Sequence, residues 1–482
     1  MAFVILIFSW ICMFFNLVSV LIMIFLERKD IKSIQSWVLI FLILPPGFSL
    51  YIYFVFGRGP KINRKKIEKR NFKLLSKITN ITDIKEYSLI PEDENIDNSI
   101  LRFNFLHNKS SITKNNDVKI LNSAYEKYKE LLKDIKNAKS SIHLFYYIIK
   151  NDTIGNILID ALSEKAKEGI KVRLIYDDVG CMNVSKKLFN KLKNAGGEVY
   201  AFFPSHLKFI NLNINHRNHR KVIVIDGKIG YLGGMNIGDE YMSLHQKFKP
   251  WKDCHLRIIG DAVNFLQLQF IEDLAYVSDH KIETEHNFKE KYFSQSNINK
   301  TTYTQIVASG PDGKNQEKIK HTYLRMLYNA KKEICIQTPY LALDDSFLSA
   351  IISTAQSGIK VKIMIPHVYD KRIVYRVTSS YITELINAGV EIYLYNGFIH
   401  SKVMIMDDSV TSIGSANFNM RSFYLNFEIN AFITDQDTTS KMKQIFYDDM
   451  KNSIIVDEYY IKSKSIYIKI EEGFSRLFTP LF

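Results

Sequence analysis

The sequence predicts an α/β protein of two pseudo-symmetric halves that share one site at their interface, preceded by an N-terminal apolar hairpin. Three observations predict this: a chemical motif that occurs twice, a set of short segments that repeat in the same order, and two long uncharged stretches at the amino end.

The motif is His-x-Lys-x4-Asp followed at a fixed distance by Gly and Asn. The first copy is His219, Lys221, Asp226, Gly233 and Asn236; the second is His400, Lys402, Asp407, Gly414 and Asn417. In both, Gly lies fourteen and Asn seventeen residues past the His. With twelve His in the chain, two copies at this spacing are not an accident of composition.

The shorter segments repeat around it. Asn137-Ala138-Lys139 precedes one apolar run and Asn329-Ala330-Lys331 another; Gly169-Ile170-Lys171-Val172 is matched by Gly358-Ile359-Lys360-Val361. Asn194-Ala195-Gly196 is matched by Asn387-Ala388-Gly389. Order is kept while spacing drifts slightly, as gene duplication with small loop changes would leave it. Helix, Gly turn and short apolar strand recur in each half, which predicts parallel strands linked by helices.

Residues 2–26 and 36–56 carry no charge. At about 1.5 Å per residue each is long enough to cross a roughly 30 Å hydrocarbon layer. A signal peptide fits poorly, since no basic n-region precedes the first stretch and no small-residue cleavage site follows it. Pro45-Pro46-Gly47 interrupts the second stretch, so a re-entrant hairpin stands as the alternative to a second span. The connection holds Arg28, Lys29 and Lys32, whereas Arg58 to Lys73 is the denser basic block. That asymmetry predicts a multi-pass cell-membrane protein with its catalytic part in the cytoplasm. The expected organisation is a transmembrane hairpin at 1–58, a basic membrane-proximal linker at 59–115, and the two halves at 116–300 and 301–482.

The 482 residues suffice for a large core, and the net charge of +14 favours an anionic partner. Cys12, Cys181, Cys254 and Cys335 are scattered without metal-type or disulfide-type spacing, which suits a reducing compartment. At the carboxyl end Phe474, Leu477, Phe478, Leu481 and Phe482 have helical spacing beside Arg476. Docking on the protein core is favoured there over insertion into a bilayer.

Each motif reads as a strand, so His219 and Lys221 should share one face and Asp226 the other, with His400, Lys402 and Asp407 arranged likewise. The Asp is then a turn or helper residue. Two imidazoles, two ammonium groups and the amides of Asn236 and Asn417 suit phosphodiester transfer. One His attacks phosphorus, the other protonates the leaving oxygen, and Lys221 and Lys402 hold the phosphoryl oxygens with the amides. The residues leave open which His attacks. Asp253 and Glu428, each after its motif, are the candidates to fix the imidazole tautomers. His216 and His219 have a ligand-like spacing, but the second half has Gly397 where His216 would correspond, so no metal or cofactor is expected.

These features resemble the phospholipase D superfamily, and in detail its bacterial cardiolipin synthase branch. The resemblance rests on Asn218-His219-Arg220-Lys221, on Gly233 through Tyr241, on Thr338-Pro339-Tyr340, and on Gly414-Ser415-Ala416-Asn417 with Arg421-Ser422. Asn426-Phe427-Glu428 and the hairpin ending at Arg58 add to it. It implies mixed sheets flanked by helices in each half, and transfer of a phosphatidyl group from one phosphatidylglycerol to another through a phosphatidyl-histidine. It also implies phosphatidylglycerol and an anionic membrane as partners, and no nucleic acid. Gly234 stands where the superfamily pattern has Ser, and Phe145 where an acid is expected. A membrane-bound phospholipase D with water as acceptor shares every motif residue. A superfamily nuclease would have no use for the hairpin, and a non-catalytic module would be expected to have lost a motif residue.

Overall fold

A computed structural model of the chain describes residues 2–25, 31–54, 98–204, 215–278, 285–293, 298–311 and 316–481. The basic run expected at 58–73, and Phe482, lie outside them.

Each half is built on one mixed sheet. The first contains β1 (Asn116–Leu121), β2 (Ser141–Tyr146), β3 (Lys171–Asp177), β4 (Glu198–Phe202), β5 (Val222–Ile225), β6 (Ile229–Gly233) and, after the two-residue β7 (Trp251–Lys252), β8 (His255–Gly260). Its order is β1-β8-β6-β5-β2-β3-β4. The second contains β9 (Tyr303–Ser309), β10 (Glu333–Gln337), β12 (Lys360–Pro366), β13 (Glu391–Tyr395), β15 (Val403–Met406), β16 (Val410–Gly414), β18 (Glu428–Thr434) and β19 (Ser453–Ile455), with short β11 (Leu341–Ala342), β14 (Phe398–Ile399) and β17 (Phe418–Asn419) outside it. Its order, read from the other end, is β9-β18-β16-β15-β10-β12-β13 with β19 added at the edge. The repeated segments thus fold alike, strand for strand.

Within the two large sheets, parallel pairing falls on β2-β3-β4 and β10-β12-β13. The motif strands β5 and β15 run antiparallel to both neighbours. The expectation of parallel strands fails there for a geometric reason: β5 and β6 are joined by a tight turn at Asp226, too short for a crossover.

The two sheets share an apolar layer. Val222, Val224 and Leu256 of the first half and Ile405, Ile413 and Ala431 of the second belong to one buried cluster, completed by the helices Ala262–Val277 and Gln436–Lys451. Burying this surface between the halves, at roughly 25 cal/mol per Å² of apolar area, holds them face to face. Residues 98–113, within the stretch expected as a linker, pack on the second half. The helix Asn98–Leu106 ends there, Asn108 Nδ2 donates to Thr322 Oγ1 at 2.8 Å, and Gln305 Nε2 donates to the Leu101 carbonyl at 3.1 Å.

At the amino end α1 (Ala2–Phe25) is followed by α2 (Ile31–Ile43) and α3 (Pro46–Ile52). The 24 residues of α1 make a rod of about 36 Å, enough for a bilayer core, whereas α2 with 13 reaches only about 20 Å. Pro45 and Pro46 break the second stretch, with Pro46 at the first helical position of α3, where its missing N–H costs nothing. The chain then doubles back: the Tyr53 ring returns to within 5.3 Å of Trp37 and 5.7 Å of Phe41. Asn16 Nδ2 donates to Ser49 Oγ at 3.0 Å, pinning α3 to α1.

Candidate active site

Two short cross-half pairings bring the motifs together. β14, just before His400, runs parallel to β7, just before Asp253. Asn218, just before His219, bridges to Phe427, just before Glu428. The backbone follows the same rule twice: His219 N–H donates to the Phe427 carbonyl at 2.9 Å, and His400 N–H to the Lys252 carbonyl at 2.6 Å. This pairing draws His219 through Lys221 ahead of the strand, so β5 begins only at Val222 and β15 only at Val403. The motif His and Lys therefore sit before the strands, not on them.

The side chains complete the crossing. His219 Nδ1 lies 3.1 Å from Glu428 Oε2, and His400 Nδ1 lies 2.7 Å from Asp253 Oδ2. Each imidazole is oriented by a carboxylate of the other half, which leaves its Nε2 for a ligand. His219 Nδ1 is also 3.1 Å from the Ser415 carbonyl.

The two carboxylates differ in their support. Glu428 accepts from the Ser415 and Ser422 hydroxyls, at 2.5 and 2.8 Å, and from Asn426 Nδ2 at 3.1 Å. Burial alone would raise its pKa, but His219, Lys221 and these donors outweigh it and hold Glu428 below the usual carboxylate range. Asp253 accepts from the Cys254 N–H at 2.7 Å, and burial lifts it to about 7 against the pull of Lys402 and that N–H. Gly234, at the position of Ser415, lies against Asp253: a Cβ there would be 2.2 Å from Asp253 Oδ1. The departure from the superfamily pattern noted in the sequence is thus a fit between a glycine and the shorter acid.

Lys221 Nζ donates to the His219 carbonyl at 2.6 Å, and Lys402 Nζ donates to the His400 carbonyl. Both ammonium groups are buried. Burial pushes Lys402 down to about 8 and holds Lys221 well below the usual ammonium range, with the charge of Lys402 adding to the effect on Lys221. Burial also lowers His219 to about 4, opposed by Glu428, and takes His400 well below the imidazole range, reinforced by Lys402 and Lys221. Two buried ammonium groups beside two imidazoles suit the binding of an anion.

Asn236 Oδ1 accepts from the Ile148 N–H at 3.3 Å and its Nδ2 donates to Tyr241 Oη at 2.7 Å. Asn417 Oδ1 is buried with no hydrogen-bond partner among the described residues, which leaves one acceptor of its amide unused. Asp226 and Asp407 are not brought to the site. Asp226 sits at φ +54° in the β5–β6 turn and accepts from the backbone N–H groups of Lys139, Ser140 and Ser141 at 2.7–3.0 Å. Asp407, also at φ +54°, takes those of Lys331, Lys332 and Glu333 at 2.8–2.9 Å. Each ties its hairpin to the start of the neighbouring strand. His216 Nδ1 lies 3.2 Å from the Leu425 carbonyl.

Tyr147, Trp251 and Lys127 were not singled out in the sequence, and Tyr340 entered only through the resemblance. The Tyr147 ring lies 4.7 Å from His219, and the Trp251 ring 5.4 Å from His400. Tyr340 Oη donates to Asp370 at 2.5 Å. Tyr147 directly follows β2 and Tyr340 lies three residues past β10, so the two tyrosines do not occupy equivalent positions of the repeat. Lys127 is fully buried and donates to the Met235 carbonyl at 3.1 Å, behind Asn236; the matching helix of the second half offers Ile319 there, so symmetry could not have found it.

The sequence matches the family described as cardiolipin synthase, PLD-like domain, over residues 131–247 and 323–450. It is 42% identical over 481 residues to the cardiolipin synthase of Staphylococcus aureus (strain Mu50 / ATCC 700699), covering 97% of this chain and 94% of that one. It is 40% identical over 477 residues to the major cardiolipin synthase of Bacillus subtilis (strain 168), covering 97% of each. Its fold is similar to that of a phosphatidylserine synthase from Haemophilus influenzae Rd KW20, with a TM-score of 0.61 over 80% of this chain and 100% of that one at 14% identity. Two matched halves, a doubled motif and near full-length likeness agree, and the chain belongs to the cardiolipin synthase family of phospholipase D-like proteins.

Proposed function

We propose that the chain is a phosphatidyltransferase that moves a phosphatidyl group from one phosphatidylglycerol to a second, yielding cardiolipin and glycerol. The observation that carries the reading is the pair of crossed carboxylate–imidazole contacts, which put one His and one Lys from each half into a single buried site. The names of the relatives supply the substrate class.

His219 is the nucleophile in this reading, because Glu428 on its Nδ1 side is the better-supported anion and can balance the cation of a phosphohistidine. His219 Nε2 attacks phosphorus, and the P–O bond to glycerol breaks. The leaving oxygen takes a proton from His400, whose charge Asp253 balances. His400 then removes the proton from a hydroxyl of the second phosphatidylglycerol, that oxygen attacks phosphorus, and the bond to His219 breaks. Burial, Lys402 and Lys221 disfavour the cation of His400; a bound phosphodiester anion offsets the two lysines and favours its protonation. These lysines and Asn417 face the phosphoryl oxygens.

Membrane association fits the apolar α1 and the family. In this reading α1 spans the bilayer, α2 and α3 enter and leave on the catalytic face, and the basic content of the following sequence sets that face in the cytoplasm.

The test is to incubate purified full-length protein with phosphatidylglycerol vesicles and analyse the lipids by mass spectrometry. Cardiolipin with equimolar glycerol supports the reading; phosphatidic acid as sole product assigns water as the acceptor and overturns it. His219→Ala and His400→Ala should each abolish turnover, and near-normal activity in either contradicts a shared site.

A further inference from the structure

A cleft lies between α2 and the second half. Its volume is about 1300 Å³, above the roughly 300–1,000 Å³ of ordinary small-molecule pockets. Ser36 of α2 lies on one wall and Leu343, Met420 and Tyr424 opposite, with the charged Asp344 and Arg476 also in the lining.

Three features say what the cleft receives. First, it opens beside the apolar hairpin: Ser36 Oγ of α2 donates to the Leu477 carbonyl at 2.8 Å, and Phe478 packs with Trp37, Ile40 and Tyr53. Second, it backs onto the catalytic machinery. Met420 and Tyr424 flank Arg421 and Ser422 in one short turn, and Ser422 donates to the carboxylate that orients His219. Asn417 and Met420 are three residues apart, as are Tyr340 and Leu343, so each wall runs at most about 10 Å between site and cleft. Third, the helix Ile466–Arg476 that carries Gly473 on the cleft exposes Ile466, Ile470 and Phe474 on one stripe. Spacing of four residues puts these on one face, and an apolar face beside a membrane helix belongs in the interface of a bilayer.

We infer that this cleft seats an acyl chain of the phospholipid whose phosphate occupies the twin-histidine site. The inference rests on the phosphatidyl-transfer reading. It solves a problem that reading creates: the phosphate must leave the headgroup plane for a buried pocket while the chains remain in apolar surroundings. A chain that slides from the bilayer along α2 into the cleft never crosses water.

The test uses Gly473, which lines the cleft and where an added Cβ meets no heavy atom within 4 Å, so Gly473→Phe projects a ring from open backbone on the cleft wall. Full-length protein is assayed on long-chain phosphatidylglycerol in vesicles and on a six-carbon-chain phosphatidylglycerol in free solution. Gly473→Phe should lose about tenfold or more in transfer from the long-chain lipid, keep its rate on the short-chain lipid, and float with vesicles like the wild type. Gly473→Ala should match the wild type throughout. A long-chain phosphatidylglycerol with a terminal diazirine should label Met420–Leu425 and Ile466–Arg476 peptides. Equal activity on both lipids, equal loss on both, lost flotation, or label confined to α1 would each overturn the inference. A wild type inactive on both lipids would instead sink the phosphatidyl-transfer reading.

Discussion

His400 Nδ1 lies 2.7 Å from a carboxylate oxygen of Asp253, although 147 positions and the boundary between the halves separate them. Its counterpart joins His219 to Glu428 across 209 positions. Neither half holds a complete pair, so separating the halves would leave two buried carboxylates and two untethered imidazoles. The duplication is an obligate one at the chemical level, and the apolar layer between the sheets is what enforces it.

The crossing is testable by removing one charge at a time. Asp253→Asn should cost about 10²–10⁴ in turnover and should move the ring-nitrogen NMR signals of His400 while leaving those of His219. Glu428→Gln should do the reverse. Signals that shift within the same half as the substitution would contradict the crossed arrangement.

Activity should depend on pH through groups of opposite sign. Asp253, raised by burial to about 7, gains its charge as pH rises, so it supplies the rising limb. Lys402, lowered by burial to about 8, and Lys221, also lowered by burial, lose their charge as pH rises, so they supply the falling limb. The kcat/KM profile of the free enzyme should therefore be a bell. A bound phosphodiester favours the ammonium form, so the falling limb of kcat should lie at higher pH than that of kcat/KM. A flat profile from pH 6 to 9 would refute both roles.

The sequence made much of the candidate site legible because duplication prints each motif residue twice. His219, His400, both lysines and both asparagines emerge from spacing, and the positions after each motif pointed to Asp253 and Glu428. What spacing cannot show is which carboxylate meets which imidazole, because that depends on β7 meeting β14 and on Asn218 meeting Phe427, contacts between chain segments about 150–210 residues apart. Lys127 was hidden for another reason: an amphipathic helix readily suggests a solvated lysine, and only tertiary packing puts this one under the Asn236 loop. The motif strands came out shorter than their apolar runs suggested, since cross-half pairing competes for their first residues.

Gly234 offers a steric test of the asymmetric half-site. Gly234→Ala places a methyl group 2.2 Å from Asp253 Oδ1, so the carboxylate must swing away from His400. Turnover should fall at least about tenfold with little change in the unfolding midpoint. Ser415→Ala at the matching position removes one donor of the several on Glu428, worth roughly 1.5–3 kcal/mol for a charged acceptor, and should lower Glu428's hold on His219 without displacing it. If Gly234→Ala is fully active, the close approach of Asp253 is not needed for the reaction.

The last prediction separates stability from chemistry within the motif itself. Asp226 takes three backbone N–H groups from residues 139–141 and holds the left-handed turn conformation that few side chains tolerate. Asp226→Ala loses all three acceptor contacts and keeps the strained φ, so about 2–4 kcal/mol of stability should go. Asp226→Asn retains one carbonyl acceptor and suits the same conformation, so its loss should be about half as large. In both variants the folded fraction should turn over within about twofold of the wild type, because no atom of Asp226 reaches the imidazoles. Asp407 makes the same three contacts to residues 331–333 and should behave alike. Denaturant unfolding and kcat measured on the same samples decide it. A hundredfold fall in kcat with unchanged stability in Asp226→Asn would return this residue to the chemistry and show that the turn is not its main role.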